Sequence, residues 1–405
     1  MTNEISPTSA ADLADAVCGA LRDKAPLQIV GQGSKAGWGR PDQAMRRLSL
    51  ARLSGIRSYE AAELVMTAGA GTLMSDIEPV LAAKNQQIAF EPADWGPLWG
   101  KPAGQGTIGG VLSCNLSGPR RFQAGAARDH FLGFTAVNGR GEVYKAGGPV
   151  VKNVTGYDLP KLLAGSFGTL SVLTDVTVKV LPRPEKQRSV LLFGQDPETA
   201  NRAMTMALGS THDISGACYL PMDLARRSHV DLIRNANKAV TALRIEGAGP
   251  SVEHRCTALR RMFGDAATEE LHSMRSLAFW REIRDVATFM PDQETALWRL
   301  SVPPASGAVI AGRLASALPG CSWFLDWGGG LLWIAVPPVA DIGAEKIRQS
   351  LVADGGHATL LRGPEVLRRS VPIIEPGALS QLLRRVKQAF DPAGILNPGR
   401  LSADW

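Results

Sequence analysis

The chain has 405 residues, enough for two or three domains that each bury a core without disulfide help, and its 45% apolar and 20% charged content excludes a disordered chain. The 44 Lys and Arg exceed the 38 Asp and Glu by six, with no basic block interleaved with aromatics, so the footprint of a nucleic-acid binder is missing. Cys18, Cys114, Cys218, Cys256 and Cys321 are scattered and form no C-x-x-C pair, which argues against a disulfide framework, a zinc ribbon or a cysteine-ligated iron–sulfur cluster on this chain. Glu4, Asp12 and Asp15 interrupt the first 30 residues, and the apolar run 331–339 falls far short of the roughly 20 residues that span a bilayer. The expectation is a cytoplasmic protein in a reducing compartment, with membrane contact peripheral at most.

In chain order, residues 11–24 repeat apolar positions at helical spacing and Pro26 closes the segment. A short strand over 27–30 runs into Gly31-Gln32-Gly33-Ser34-Lys35-Ala36-Gly37-Trp38-Gly39. Strands follow at 46–50 and 64–68, then a helix over about 72–84. A segment punctuated by glycine occupies 102–182, with strands at 131–137 and 143–145 joined by the hairpin signal Asn138-Gly139, and a strand over 170–181. Past Pro184 strands alternate with longer helices. Strands are expected at 189–194, 215–220, 239–246, 296–302, 321–327, 331–336 and 357–362, and helices at 197–208, 251–263, 272–289, 306–317, 341–353 and 376–390. That order predicts an antiparallel sheet with helices on one face and a domain boundary near Pro184.

Strand, then Gly31-x-Gly33-x-x-Ala36, satisfies a dinucleotide fingerprint only formally. The fingerprint must open a helix, and Gly37, Gly39 and Pro41 in the following turns forbid one. What remains is a backbone nest, in which successive N–H groups converge on an anion without a helix. Thr107-Ile108-Gly109-Gly110 and Asn115-Leu116-Ser117-Gly118 read singly as tight turns. Together with the nest they read as three glycine-rich loops, each after a short strand, lining one elongated phosphate-bearing cofactor.

These segments, with Gly125-Ala126-Ala127-Arg128-Asp129, Gly165-Ser166-Phe167-Gly168-Thr169-Leu170 and Asn397-Pro398-Gly399, resemble the flavoproteins of the vanillyl-alcohol oxidase and p-cresol methylhydroxylase (PCMH) type. Within that family, Lys152-Asn153-Val154-Thr155-Gly156-Tyr157-Asp158-Leu159, Gly355-Gly356-His357-Ala358-Thr359 and the overall size resemble the FAD-binding subunits of bacterial glycolate oxidase. The resemblance implies an α+β class: a two-subdomain PCMH-type FAD-binding domain over 1–184, an antiparallel-sheet α+β cap over 185–375, and a C-terminal helix and tail over 376–405 returning to the FAD domain. It places the pyrophosphate on Gly31, Gln32, Gly33, Ser34 and Lys35. Pro102, Thr107, Gly109, Gly110, Asn115 and Gly118 are implied along the diphosphate, ribityl chain and isoalloxazine. Gly125, Arg128 and Asp129 are implied near the ribityl or diphosphate region, Gly168, Thr169 and Val172 on the adenine side, and Asn397 and Gly399 closing the far end.

Members that tether FAD covalently use a His or Cys at or near the nest, and residues 31–39 contain neither, so noncovalent FAD is expected. The catalytically competent 2-hydroxy-acid dehydrogenases of the group carry a clustered histidine signature that supplies metal ligands and a base. His130, His212, His229, His254, His272 and His357 form no such cluster, so no metal is expected and turnover by this chain alone is unsupported. His357, with Arg362 on the same strand face, is a catalytic candidate or a structural histidine at a strand start. Tyr157 and Lys152 either approach the flavin, Lys152 favouring the anionic reduced form by charge attraction, or hydrogen-bond within an irregular loop. The tryptophans around Gly328-Gly329-Gly330 read as cap core.

The implied function is an FAD-binding subunit of a glycolate oxidase or 2-hydroxy-acid dehydrogenase complex, oxidising glycolate to glyoxylate and passing electrons to an iron–sulfur subunit alongside a second flavin-binding subunit. The alternatives are a stand-alone FAD-dependent alcohol or hydroxy-acid oxidase and a non-catalytic assembly flavoprotein.

Overall fold

The computed structural model describes residues 4–41, 43–44, 46–148, 156–264, 268–375 and 377–404, which fall into two compact units. The first unit comprises 1–117, 125–183 and 368–405, and the second comprises 118–124 and 184–367.

In the first unit the helix Ala10–Asp23 starts where the Ser9 hydroxyl accepts from Asp12 N, and ends where Lys24 turns left-handed at φ 51°. Leu13, Val17 and Ala20 recur at three- and four-residue spacing and are buried with Leu27 and Leu48. Leu27 and Leu48 belong to a parallel three-stranded sheet ordered Glu4–Ile5, Arg46–Ser49, Leu27–Val30. A second sheet is antiparallel and orders Ile56–Glu60, Val65–Gly69, Ser171–Lys179, Phe131–Asn138, Val143–Gly147. Ile56–Glu60 escapes sequence reading because IRSYE buries none of its residues fully and lacks an apolar alternation.

The C-terminal segment folds back onto this unit. Leu27 N donates to Ile395 O (2.8 Å) and Asn397 N to Leu27 O (3.0 Å), so the tail lies beside the strand that feeds the nest. A buried pair fixes the turn that makes this possible. Lys387, on the last turn of the helix Ala378–Phe390, donates to Asp391 Oδ2 (2.5 Å), Thr169 O (2.7 Å) and Leu396 O (2.9 Å). Asp391 in turn accepts from Ile395 N (3.1 Å) and Leu396 N (2.8 Å). Burial pulls the Lys387 pKa down while Asp391 opposes the shift.

The second unit is built on one antiparallel eight-stranded sheet. Its order is Thr268–His272, Lys186–Phe193, Val240–Gly247, Ile214–Leu220, Ser322–Asp326, Leu331–Val336, Ala296–Ser301, His357–Arg362. The edge strand Thr268–His272 (TEELH) is too polar to be read as a strand from sequence. The expectation of helices on one face needs correction. Ser276 and Trp280 of the helix Ser273–Asp285 bond Ser189, whereas Glu253 of the helix Gly249–Met262 pairs with Arg188, the next residue along the strand and therefore on the opposite face. Among the described residues, no helix is long and apolar enough to cross a membrane.

Asp391→Ala strands the Lys387 ammonium in the interior and is expected to lower stability by about 3–5 kcal/mol in urea unfolding. Pairing it with Lys387→Met is expected to recover most of that loss, because no unpaired charge then remains buried.

Candidate cofactor cavity

A cavity opens where the strand Leu27–Val30 runs into the nest, and Gly31, Gln32, Gly33, Ser34, Lys35 and Ala36 form one wall. The nest is a chain of turns and not a helix: Ala36 N donates to Gly33 O (3.2 Å) and Trp38 N to Lys35 O (3.1 Å), with Gly33 at φ 73°. Its carbonyls are taken up by cations. Lys101 Nζ donates to Gly33 O (2.6 Å), Arg400 to the carbonyls of Lys35 (3.1 Å), Ala36 (3.2 Å) and Arg40 (3.0 Å), and Arg368 to those of Gly37 and Gly39 (both 2.8 Å). By contrast, the backbone N–H groups of residues 31–35 donate to no acceptor among the described residues. Five successive free amides make a strong donor set for an anion.

The facing wall is formed by Thr107, Gly109, Gly110, Ser113 and Cys114. Here the sequence expectation of a loop after a strand fails. Thr107 caps a short helix, Ile108–Ser113, accepting from Gly110 N (3.2 Å), so the glycine pair sits in the first helical turn. A Cβ on Gly109 would lie 2.7 Å from both Ala70 Cβ and Ala70 O, which excludes any larger residue. The Lys35 ammonium approaches this turn, 3.6 and 3.7 Å from where side chains on Gly106 and Gly110 would begin. Lys35 makes no ion pair with a described residue, and desolvation lowers its pKa against the opposing pull of Cys114 and Asp94. Burial also pushes the Cys114 thiol up, against the pull of Lys35 and Arg400, so the thiol stays protonated.

Asn397 closes the cavity from the tail. At φ 43°, it accepts from Ile29 N (2.7 Å) and donates to Phe167 O (2.7 Å), with Gly168 packed against its amide. Gly168 and Val172 also line the wall.

The other sequence-derived positions lie elsewhere. Asn115 accepts from Arg128 N (3.0 Å), and Asp129 caps the Gly125 turn through Ala126 N (2.9 Å) while its carboxylate and the Arg128 guanidinium stay largely exposed. Thr169 is fully buried, with its hydroxyl on Ser166 O (2.7 Å), and Gly399 O accepts from Arg40 Nε (3.1 Å). Pro102 packs by its carbonyl near Gly96, outside the cavity wall. Gly118 belongs to the second unit, where its carbonyl accepts from Trp327 Nε1 (2.9 Å). Sequence reading missed Cys114, Ser113 and Arg400. Arg400 had a usable signal, as a cation directly after Asn397-Pro398-Gly399 in a tail expected to return.

Of the catalytic candidates, Lys152 lies outside the described residues and Tyr157 is 90% exposed. A bulge opposite Leu297/Trp298 does set Arg362 on the His357 face despite the odd spacing. Arg362, however, is buried and spent on the carbonyls of Phe289 (3.0 Å), Asp292 (2.6 Å) and Thr295 (3.2 Å), which makes it a loop anchor and not a group free for catalysis. His357 is exposed, its pKa lowered by desolvation and by Arg299 and Arg121.

Residues 3–147 match the model of the FAD binding domain, and residues 375–401 that of the C-terminal domain of FAD linked oxidases. The chain is 34% identical over 385 residues to glycolate oxidase subunit GlcE of Escherichia coli, covering 95% of each. The chain belongs to the FAD-linked oxidase family that includes this glycolate oxidase subunit. Its cofactor is FAD. A shorter stretch of 118 residues, 29% of the chain and 24% of the relative, is 34% identical to glycolate oxidase subunit GlcD of Bacillus subtilis. The fold is that of p-cresol methylhydroxylase, with a TM-score of 0.78 at 12% identity over 99% of this chain and 89% of that one.

Asn397→Ala leaves Ile29 N–H and Phe167 C=O without partners, and unfolding measurements are expected to show a loss of about 1–3 kcal/mol.

Proposed function

We propose that this cavity holds FAD noncovalently, with the pyrophosphate on the free amides of Gly31, Gln32, Gly33, Ser34 and Lys35 and with the Lys35 ammonium as counter-charge. The observation that carries the assignment is the run of unbonded amides beside a half-buried lysine that makes no ion pair with a described residue. Thr107, Gly109 and Gly110 offer a close-approach wall to the same group, Gly168 and Val172 line the adenine side, and Asn397 holds the far end. Noncovalent binding accords with the protonated Cys114 thiol, a poor nucleophile at neutral pH.

The chain then serves as a flavin-binding subunit of a glycolate oxidase or related 2-hydroxy-acid dehydrogenase assembly, acting beside a second flavin chain and an iron–sulfur subunit. Glycolate gives up two electrons and two protons to become glyoxylate. FAD, when bound, accepts the two electrons and can release them singly to a one-electron carrier. What this chain contributes is the positioning of the cofactor. The relative of nearly equal length carries the word subunit in its name, which supports an assembly. A cytoplasmic position, touching the membrane only through partners, fits the same reading.

Lys35→Met is expected to weaken FAD binding by about 10–100-fold in flavin fluorescence titrations, the loss of one charge-assisted contact. It is a sharper probe than Gly33→Asp, whose Cβ would lie 3.4 Å from Arg47 Nη2 and 4.0 Å from Lys101 Nζ, within reach of pairing for the new carboxylate. Unchanged affinity in Lys35→Met refutes the pyrophosphate placement. For the assembly, the flavin-loaded chain alone is expected not to turn over glycolate with an artificial acceptor and to do so once its partner chains are added. Turnover by the isolated chain contradicts the subunit role.

A further inference from the structure

In the second unit, strand register gathers charge onto one sheet face. Arg299 pairs with Trp333 on one neighbouring strand and Thr359 on the other, and Ser301 pairs with Leu331 and His357, so Arg299, Trp333 and His357 share that face. Asp326, opposite Leu331, ends the adjoining strand on the same face. The chain then turns sharply: Asp326 accepts from Trp327 N (2.7 Å), and Trp327, Gly328 and Gly329 all adopt positive φ (53°, 64° and 97°). A tryptophan in the left-handed region is costly, and here its indole is fixed at the other end by Gly118 O.

Two cations converge on that ring. The Arg121 guanidinium lies 4.6 Å from the Trp327 centroid and that of Arg299 lies 5.0 Å away, with Arg299 also 6.0 Å from the Trp333 ring. Arg299 is half-buried and makes no hydrogen bond or ion pair with any described residue. Desolvation and Arg121 pull its pKa down to about 10 against the opposing charge of the Asp326 carboxylate, so it stays charged at neutral pH. A guanidinium that is partly taken from water, set beside a second cation and given no hydrogen-bond acceptor among the described residues, with only the longer-range charge of Asp326 opposing, is satisfied by an incoming anion.

We propose that Arg299, with Arg121 and the face of Trp327, forms a binding site for the carboxylate of a small organic acid. The planar fork of Arg299 matches a carboxylate in two parallel N–H···O bonds, and the indole holds the fork in place before the ligand arrives. The identity of the acid as a 2-hydroxy acid rests on the function proposed above, whereas the anion site stands on the geometry of this unit.

The test uses the full flavin-loaded chain and titrates it with oxalate, a two-carbon acid with no C–H to oxidise, followed by calorimetry and tryptophan fluorescence, with inorganic phosphate in a parallel arm. Saturable oxalate binding is expected, weakened about 30-fold or more by Arg299→Gln and less by Arg299→Lys, with FAD content and thermal midpoint unchanged. Trp327→Phe is expected to abolish the fluorescence response while heat is still released. Oxalate binding that is unaltered in Arg299→Gln overturns the proposal, as does phosphate binding more tightly than oxalate. The two readings separate cleanly. Loss of oxalate binding in Arg299→Gln, with an assembled complex that never oxidises glycolate, keeps this site and removes the function. Glycolate turnover with Arg299-independent acid binding does the reverse.

Discussion

The buried Lys387–Asp391 pair is the constraint on which the cavity depends. An ammonium and a carboxylate in the interior persist only when every remaining donor and acceptor is used. Here Thr169 O, Leu396 O, Ile395 N and Leu396 N complete the set. The pair forces the chain to reverse directly after the last helix. That reversal carries Asn397 to Ile29 and Arg400 to the carbonyls of Lys35, Ala36 and Arg40, contacts that span more than 350 residues of sequence.

The nest is consequently polarised by its surroundings. A helix N-terminus presents its amides because its carbonyls are consumed further along the same helix. In residues 31–39 no helix exists, and the carbonyls are consumed by Lys101, Arg368 and Arg400. The outcome is similar: a row of donors without acceptors among the described residues, supplemented by the half-buried Lys35 charge. Glycine is needed where Gly33 turns left-handed and where Gly109 meets Ala70, and both positions face the same space.

Much of this was legible in the sequence. The helix-breaking glycines after Gly33 excluded a Rossmann site, and periodicity located nearly every strand past Pro184. What stayed hidden has physical causes. The helix capped by Thr107 packs here only because Gly109, lacking a side chain, makes room for Ala70, a contact with a residue distant in sequence. The strands Ile56–Glu60 and Thr268–His272 owe their existence to neighbouring edges and carry little apolar pattern of their own. Arg362 looked like a partner for His357, yet three loop carbonyls claim it. Arg299 drew no notice, because a lone arginine in a strand is informative only once its register beside Trp333 is known.

The most direct test of the account is amide hydrogen exchange across the nest, read with and without added FAD. The unbonded amides of residues 31–35 are predicted to exchange readily in the FAD-free chain and to become strongly protected when FAD is bound. Protection that appears elsewhere while these amides continue to exchange freely would contradict it.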